Sequence, residues 1–187
     1  YDDLIYKNRT MLARLKDSCM LNEAAAREMG VTGIGLRSCA NRPLDVRKVT
    51  PYARYDKVEF DVPVSDYSDA YTRLRIKYLE VFESIKIIRQ VLDMMPSGKI
   101  NVRALKGSAL RWEIPKGQIY SVVESSRGEY GYYIVSDGTT HPYRIAVRGA
   151  SFPQGTLGVE KYLPGTRIDD APLWFDTMGI CSPEIDR

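Results

Sequence analysis

The stretch QIYSVVESSRGEYGYYIVSDGTTHPYRIAV, residues 118–147, sets the fold class of this chain. It contains three runs rich in β-branched and aromatic residues, as strands are: Gln118 to Val123, Tyr130 to Ser136 and Tyr143 to Val147. The turn Ser126-Arg127-Gly128 separates the first two runs, and Asp137-Gly138 begins the turn before the third. The pattern therefore predicts a three-stranded antiparallel meander within residues 116–150.

The longest helical pattern runs from about Asp69 to Met95. Its apolar residues recur mostly three or four apart: Leu74, Tyr78, Val81, Phe82, Ile85, Ile88, Val91, Leu92 and Met95. Pro96 and Gly98 end the pattern. At 1.5 Å per residue such a helix is about 40 Å long. Its apolar face is wide, so we expect it to pack against other helices, some of them on another chain.

The order of these elements predicts the α+β class. Residues 1–115 are expected to be mainly helical, with a short helix at Asn22 to Met29 and one strand-like alternation at Lys57 to Val62. Residues 151–187 are expected to be irregular apart from a short helix around Ala171 to Thr177. We therefore expect a helix-bundle portion that carries a small antiparallel meander.

Composition argues against several classes of function. The net charge of +3 is too small to indicate nucleic acid or an anionic membrane surface as a partner. There is no apolar run of about eighteen residues and no secretion signal, and the absence of an initiator Met indicates processing or a longer parent chain. Three scattered cysteines favour a reducing compartment. The single histidine, His141, excludes a His-rich metal site and is expected at the surface.

The clearest candidate chemistry lies at Cys181-Ser182-Pro183-Glu184. Two thiolates in a Cys-x-x-Cys pair point at one centre and can hold a metal. Here Glu184 stands where the second thiolate would be. Cys181 is then either part of an altered redox site or a small packing residue, which is the usual role of a free cysteine.

Several blocks in this sequence resemble one family, and they stand in the family's order. The longest runs from Glu124 to Gly131 and on through Tyr133-Ile134-Val135-Ser136-Asp137-Gly138 to Pro142-Tyr143-Arg144. The others are Leu36-Arg37-Ser38, Asp45-Val46-Arg47-Lys48, Pro51-Tyr52, Tyr55-Asp56, Phe60-Asp61-Val62-Pro63, Asp69-x-Tyr71-x-Arg73, Ser84-Ile85-x-Ile87-Ile88-Arg89-Gln90 and Glu184-x-Asp186-Arg187. Together they resemble the large (49 kDa-type) subunit shared by respiratory complex I and the membrane-bound nickel–iron hydrogenases. The resemblance covers nearly all of residues 1–187, but only the C-terminal half to two-thirds of a typical member, and implies a hydrogenase-large-subunit-like fold.

The resemblance also implies roles for particular residues. Cys181 takes the place of the first metal-binding cysteine of the hydrogenases, and Glu184 takes the second, where the complex I branch usually has Glu. Arg127 takes the place of the arginine that approaches the ligands of the active-site iron. We therefore expect Arg127, Cys181 and Glu184 to be catalytic and to share one pocket. The substrate pocket is expected to include four more residues: Ser126, Pro142, Arg144 and Asp186.

The same residues also have structural interpretations that involve no catalysis. Arg127 would serve equally well as a turn residue in an ion pair, and Asp186 as a structural residue near the terminus. The family's Asp-Pro before the first cysteine is Gly179-Ile180 here. A nickel–iron centre takes four thiolates in this family, half of them from an N-terminal motif that this chain lacks. No metal is therefore expected on this chain.

Three functions remain open at this point. The first is a subunit of a membrane-bound complex-I-like oxidoreductase that helps form a pocket where a quinone or a sulfur compound is reduced. Archaeal membrane-bound sulfane reductases are the intermediate members that reduce sulfur. The second is the large subunit of an energy-converting nickel–iron hydrogenase. The third is a silent scaffold that links a cluster subunit to the membrane arm.

The first function implies particular partners. This chain would bind no cofactor itself, and a 4Fe-4S cluster would lie on an iron–sulfur small subunit beside it. The N-terminal half of the large subunit, or an adjacent chain, and the membrane-arm subunits would complete the complex. The chain would not be active alone, and it would lie peripherally on the cytoplasmic face of the cell membrane.

Overall fold

The computed structural model describes residues 2–98 and 112–186. It confirms the α+β class, because helices precede and follow a three-stranded sheet. The α-helices are α1 (Arg9–Leu15), α2 (Glu23–Glu28), α3 (Ile34–Ala40), α4 (Val46–Val49), α5 (Ala70–Asp93), α6 (Ser151–Gly155), α7 (Leu157–Tyr162), α8 (Ala171–Met178) and α9 (Ser182–Ile185). A π-helical turn lies at Asp2–Tyr6, and 3-10 turns lie at Tyr55–Lys57 and Ile168–Asp170.

The sheet is the meander that the strand pattern predicts. Its strands β1 (Gly117–Ser125), β2 (Gly128–Ser136) and β3 (Arg144–Arg148) lie in chain order, each antiparallel to the next. Ser125 pairs with Gly128, so Ser126 and Arg127 alone form the first turn. Gly128 has a φ of +133°, which residues with a side chain rarely adopt. The tight turn places Arg127 at the tip of the first hairpin.

The long helix α5 is confirmed to within two residues at each end. Asp69 caps its start by accepting a hydrogen bond from the Thr72 N–H at 2.7 Å. The buried residues of α5 all lie in its first two turns, where it packs against α1, α3 and α8. Farther along, most of its apolar side chains are exposed, including Val81, Ile85 and Ile88.

The core lies between α2, α3 and α8. Trp174 and Met178 on α8 are fully buried against apolar residues of the two other helices. Arg73 of α5 is fully buried beside them, with its guanidinium 5.6 Å from the Trp174 ring. Its Nε donates to the Thr177 hydroxyl at 3.0 Å, so this side chain joins α5 to α8. Burial lowers the pKa of Arg73 to about 10, a value at which the group still carries its charge at neutral pH.

The strand expected at Lys57 to Val62 does not form. A 3-10 turn ends at Lys57, and the chain then runs extended beside α5 without pairing to a strand. Side chains of α5 take the place of a strand partner here. Gln90 accepts from the Glu59 N–H at 2.8 Å and donates to the Glu59 carbonyl at 2.6 Å, and Glu83 accepts from the Asp61 N–H at 2.7 Å. The alternating pattern was therefore a sign of one-sided packing on a helix.

The segment 151–187 is more regular than expected. The helix predicted around Ala171 to Thr177 is α8, but α6, α7 and α9 form as well. These three contain four to six residues each, too few to show a helical period in the sequence. They bring the C-terminal residues back against the end of β3.

Candidate functional site

A cavity of about 690 Å³ lies between α5 and the tip of the first hairpin. One wall is apolar and comes from α3 and α5: Ile34, Val81, Ile85 and Ile88. The opposite side is polar and comes from the end of β1 and its turn: Glu124, Ser125, Ser126 and Arg127. Five further polar residues line the cavity: Arg37, Arg47, Lys77, Glu80 and Ser84. The cavity thus suits a molecule with an apolar body and a polar end.

Arg127 is held at the rim of this cavity by its neighbours in space. Its Nε donates to the Gly179 carbonyl at 2.8 Å, and its Nη1 lies 3.7 Å from Glu184 Oε1. The turn below it presses on Gly33, where an added Cβ would lie 2.2 Å from the Arg127 carbonyl oxygen. The glycine is therefore required for the close approach that fixes Arg127. The guanidinium keeps 34% side-chain exposure and remains accessible to a ligand.

Glu184 is oriented by Ser151, a residue that the sequence did not single out. Ser151 is 0% exposed and begins α6. Its N–H donates to Glu184 Oε2 at 3.0 Å, and its hydroxyl donates to the same oxygen. The hydroxyl also accepts from the Cys181 N–H at 3.1 Å. Ser151 thus forms hydrogen bonds with both Cys181 and Glu184, the first and last residues of this turn.

The structure brings together only some of the predicted site residues. Arg127 and Glu184 meet directly, Cys181 is joined to Glu184 through Ser151, and Ser126 lines the cavity with its hydroxyl 3.4 Å from Arg127 Nη1. The Cys181 thiol is half-buried and free. Whether these groups are catalytic remains a proposal.

Pro142 and Arg144 lie away from this cavity. Arg144 pairs with Val135, seven residues along β2 from Gly128, which at about 3.3 Å per residue is on the order of 23 Å. Pro142 lies on the exposed turn before it. Their closeness to Arg127 in the sequence block reflects the family pattern and not the antiparallel register. Asp186 is exposed and lies after α9, where its N–H donates to the Ser182 carbonyl at 3.0 Å.

A buried charge cluster on the cavity's inner side was not predicted as functional. Arg37, 1% exposed, donates through Nη1 to Asp45 at 3.2 Å and to Glu124 at 3.1 Å. Its Nη2 donates to Glu80, and Arg47 donates to both oxygens of Asp45. Three blocks of the family pattern contain Arg37, Asp45 with Arg47, and Glu124, and none contains Glu80. The meeting of these residues depends on contacts up to 87 positions apart.

Burial and nearby charges shift the pKa values of the three carboxyl groups of this cluster in different directions. Burial raises the pKa of Glu80 and of Glu124, and the nearby guanidinium groups offset only part of the effect. Burial acts in the same sense on Asp45, but hydrogen bonds and charge from Arg47 outweigh it and lower its pKa. Burial also lowers the pKa of Lys77, which donates to the Asp176 carbonyl at 2.6 Å. The polar side of the cavity therefore combines fixed positive charge with two carboxyl groups whose protonated form is favoured by burial.

Comparison with known proteins identifies the family. The sequence family described as respiratory-chain NADH dehydrogenase, 49 Kd subunit, matches residues 1–112 and 107–187. The chain belongs to this family. The resemblance inferred from the ordered blocks is therefore confirmed.

Three similar proteins show how far the similarity extends. An NADH-quinone oxidoreductase subunit of Thermosipho melanesiensis is 57% identical over 187 residues, covering 100% of this chain and 51% of the relative. The mitochondrial NADH-ubiquinone oxidoreductase 49 kDa subunit of Neurospora crassa is 33% identical, covering 100% and 43%. A structure of the membrane-bound sulfane sulfur reductase, an archaeal respiratory membrane complex, matches with a TM-score of 0.89 at 36% identity, covering 100% of this chain and 50% of that chain. This chain spans about half the length of these relatives.

Two features are absent from residues 2–98 and 112–186. No helix there combines the length and the apolar character needed to cross a membrane. No group of three or more His, Cys, Asp or Glu side chains in the same ranges is arranged to hold a metal ion.

Proposed function

We propose that this chain helps form the substrate-reduction pocket of a membrane-bound, complex-I-like oxidoreductase. The observation that supports this most directly is the meeting of Arg127 and Glu184 beside a cavity with an apolar wall. Relatives named as subunits of NADH-quinone oxidoreductase and of a sulfane sulfur reductase complex support the same class of reaction. The substrate is a quinone or a sulfur compound, each of which takes up two electrons and two protons.

Each residue of the site has a definite part in this proposal. Arg127 stabilises the negative charge that develops on the substrate's oxygen or sulfur as electrons arrive, because its guanidinium is fixed and donates hydrogen bonds. Glu184 transfers a proton to the reduced atom. Cys181 shapes the same turn, because its N–H donates to the Ser151 hydroxyl that also holds the Glu184 carboxylate. Ser126 lies beside the guanidinium and contributes a hydroxyl group to the polar end.

The electrons would come from a 4Fe-4S cluster on an iron–sulfur small subunit. Such a cluster takes four thiolates, and this chain has three cysteines in all. Cys39 packs in the core, where burial raises the pKa of its thiol to about 11, and this disfavours the thiolate that a metal requires. We therefore assign the cluster to the partner, with this chain supplying the substrate side.

The exposed apolar part of α5 supports a second partner, the N-terminal half of the large subunit or an adjacent chain. Val81, Ile85, Ile88 and Leu92 are all more than 40% exposed along this helix. An exposed apolar stripe of this length marks an interface. Since Val81, Ile85 and Ile88 also form the apolar wall of the cavity, the partner would close the cavity on that side. The relatives are about twice as long as this chain, so they contain enough additional sequence to cover it. Membrane-arm subunits would then anchor the assembly at the cytoplasmic face.

The test uses the intact membrane complex, with a reduced viologen as electron donor and either a short-chain quinone or polysulfide as acceptor. We expect Arg127→Ala to lower kcat/KM for the true acceptor on the order of 100-fold. Arg144→Ala, on the same sheet but about 23 Å away, is the matched control and should keep full activity. Full activity of Arg127→Ala with both acceptors would favour a silent scaffold. Stoichiometric nickel in the wild-type complex would favour a hydrogenase.

A further inference from the structure

The Arg37 cluster contains more carboxyl groups than guanidinium groups. Arg37 and Arg47 carry two positive charges, and Asp45, Glu80 and Glu124 would carry three negative charges if all were ionised. Arg37 Nη1 already serves Asp45 and Glu124, which leaves Nη2 for Glu80. Holding three ionised carboxylates in one buried cluster is unfavourable, which favours the protonated form of one of them.

Glu80 is the member of the cluster that is placed to release that proton into the cavity. Its side chain is 21% exposed, against 0% for Asp45 and 5% for Glu124. Glu124 is held from behind by the Val46 N–H at 3.0 Å, and Asp45 is held by Arg47. Glu80 projects from α5, one turn after Lys77 and one turn before Ser84, and all three residues line the cavity.

We infer that Glu80, which lines the cavity, is a second proton donor to the substrate in addition to Glu184. This inference rests on the proposed function. A substrate that accepts two electrons from the partner's cluster must also gain two protons, and two donors deliver one each. The Glu80 O–H bond breaks as the bond from hydrogen to the substrate's oxygen or sulfur forms. Arg37 then stabilises the carboxylate left behind, and water entering through the open cavity returns the proton.

The charged groups that face Glu80 come from every element packed around it: Arg37 on α3, Asp45 and Arg47 at α4, Glu124 on β1 and Lys77 on α5 itself. Burial outweighs the attraction of the cations and raises the pKa of Glu80. The acid form must be present for donation, so turnover should fall as the pH rises through the pKa of Glu80.

Glu80→Gln tests the inference in the intact complex, with reduced viologen as donor and the better of short-chain quinone and polysulfide as acceptor. We expect kcat to fall on the order of 100-fold and the alkaline limb of the pH profile to disappear. Glu80→Asp keeps the acid and should retain that limb. Glu83→Gln is the matched control, because Glu83 lies three residues along the same helix, outside the cavity lining, and contacts Lys86 and the Asp61 N–H.

Infrared difference spectra of the same complexes supply a readout that does not depend on turnover. The wild type and Glu83→Gln should show a protonated-carboxyl C=O band that changes on reduction, and Glu80→Gln should lack it. An active wild type in which Glu80→Gln keeps the rate, pH profile and band of Glu83→Gln would overturn this inference alone. A wild type that reduces neither acceptor would overturn the proposed function, and this inference with it.

Discussion

Ser151 holds the carboxylate of Glu184 through two donors, its N–H at 3.0 Å and its hydroxyl. The two residues are 33 positions apart, and their contact closes the C-terminal helices onto the end of the meander. Gly149 allows this closure, because a Cβ there would lie 2.9 Å from the Glu184 carbonyl oxygen. The position of Glu184 beside Arg127 thus depends on a serine that does not itself line the cavity.

Removing the Ser151 hydroxyl should release Glu184. We expect Ser151→Ala to lower turnover of the intact complex about tenfold, because a hydrogen bond to a charged group contributes about 1.5 kcal/mol. Since the backbone N–H of residue 151 remains, the loss should be partial and should appear in kcat more than in KM. Ser182→Ala, at the exposed first residue of α9, is the control. Equal kinetics for the two variants would contradict the role assigned to Ser151.

The parts of this fold that the sequence predicts are those with a local signal. The meander and α5 each repeat one pattern over many residues, and both formed where the pattern placed them. The alternation at 57–62 wrongly predicted a strand, because a strand and an extended chain packed on a helix bury alternate residues in the same way. Gln90 and Glu83, more than twenty positions later, decide between the two structures.

The residues of the candidate site show the same contrast between signals in the sequence and long-range contacts. Arg127, Cys181 and Glu184 could be named from the sequence because they occupy positions of a family pattern. Ser151 and Glu80 could not, because their importance comes from contacts between residues 33 and 43 positions apart. Arg144 shows the converse case. It is near Arg127 in the pattern, but the antiparallel register carries it to the far end of the hairpin.

The contact between Gly33 and the Arg127 turn gives a test of backbone packing. Gly33→Ala places a Cβ 2.2 Å from the Arg127 carbonyl oxygen, and neither backbone can yield without moving the turn. We expect loss of most activity and a lower melting temperature of the complex. Gly30→Ala is the control, since Gly30 also has a positive φ but nothing within 4 Å of the added Cβ. The Gly30→Ala substitution should lower the free energy of unfolding by only about 1 kcal/mol. Comparable losses in both variants would mean that backbone strain alone matters here.

The buried Glu124 should make stability depend on pH. Its pKa is raised by burial above the usual 4.5, so the folded state binds this proton more tightly than the unfolded state does. The stabilisation of the folded state by this proton is complete below pH 4.5 and is lost as the pH rises through the pKa of Glu124 in the folded state. Glu124→Gln removes it, so the melting temperature of the variant relative to wild type should rise with pH above 4.5. Glu113→Gln, at an exposed position, should show no such trend.

The exposed stripe of α5 predicts an assembly defect. Ile88→Asp puts a charge at the centre of the apolar stripe, where Ile88 is 57% exposed in this chain. We expect the yield of assembled complex, measured by size-exclusion chromatography, to fall at least about tenfold, because a buried unpaired charge costs several kcal/mol. Lys86→Asp is a control on the same helix, at a position that forms ion pairs with Glu83 and Asp61 away from the stripe. Normal assembly of Ile88→Asp would show that no partner covers this face.

Two substitutions of Glu184 separate proton transfer from metal binding. Glu184→Gln keeps the size of the side chain, and its amide oxygen can still accept from Ser151, so the complex should assemble normally. Turnover should nevertheless fall on the order of 100-fold, because the amide cannot deliver a proton. Glu184→Cys restores a Cys-x-x-Cys pair with Cys181, yet two thiolates are half of the nickel–iron ligand set that the resemblance to the hydrogenases implies. We therefore expect no nickel in the purified Glu184→Cys complex by elemental analysis. Bound nickel together with hydrogen uptake would show instead that the rest of a metal site survives in the assembled complex.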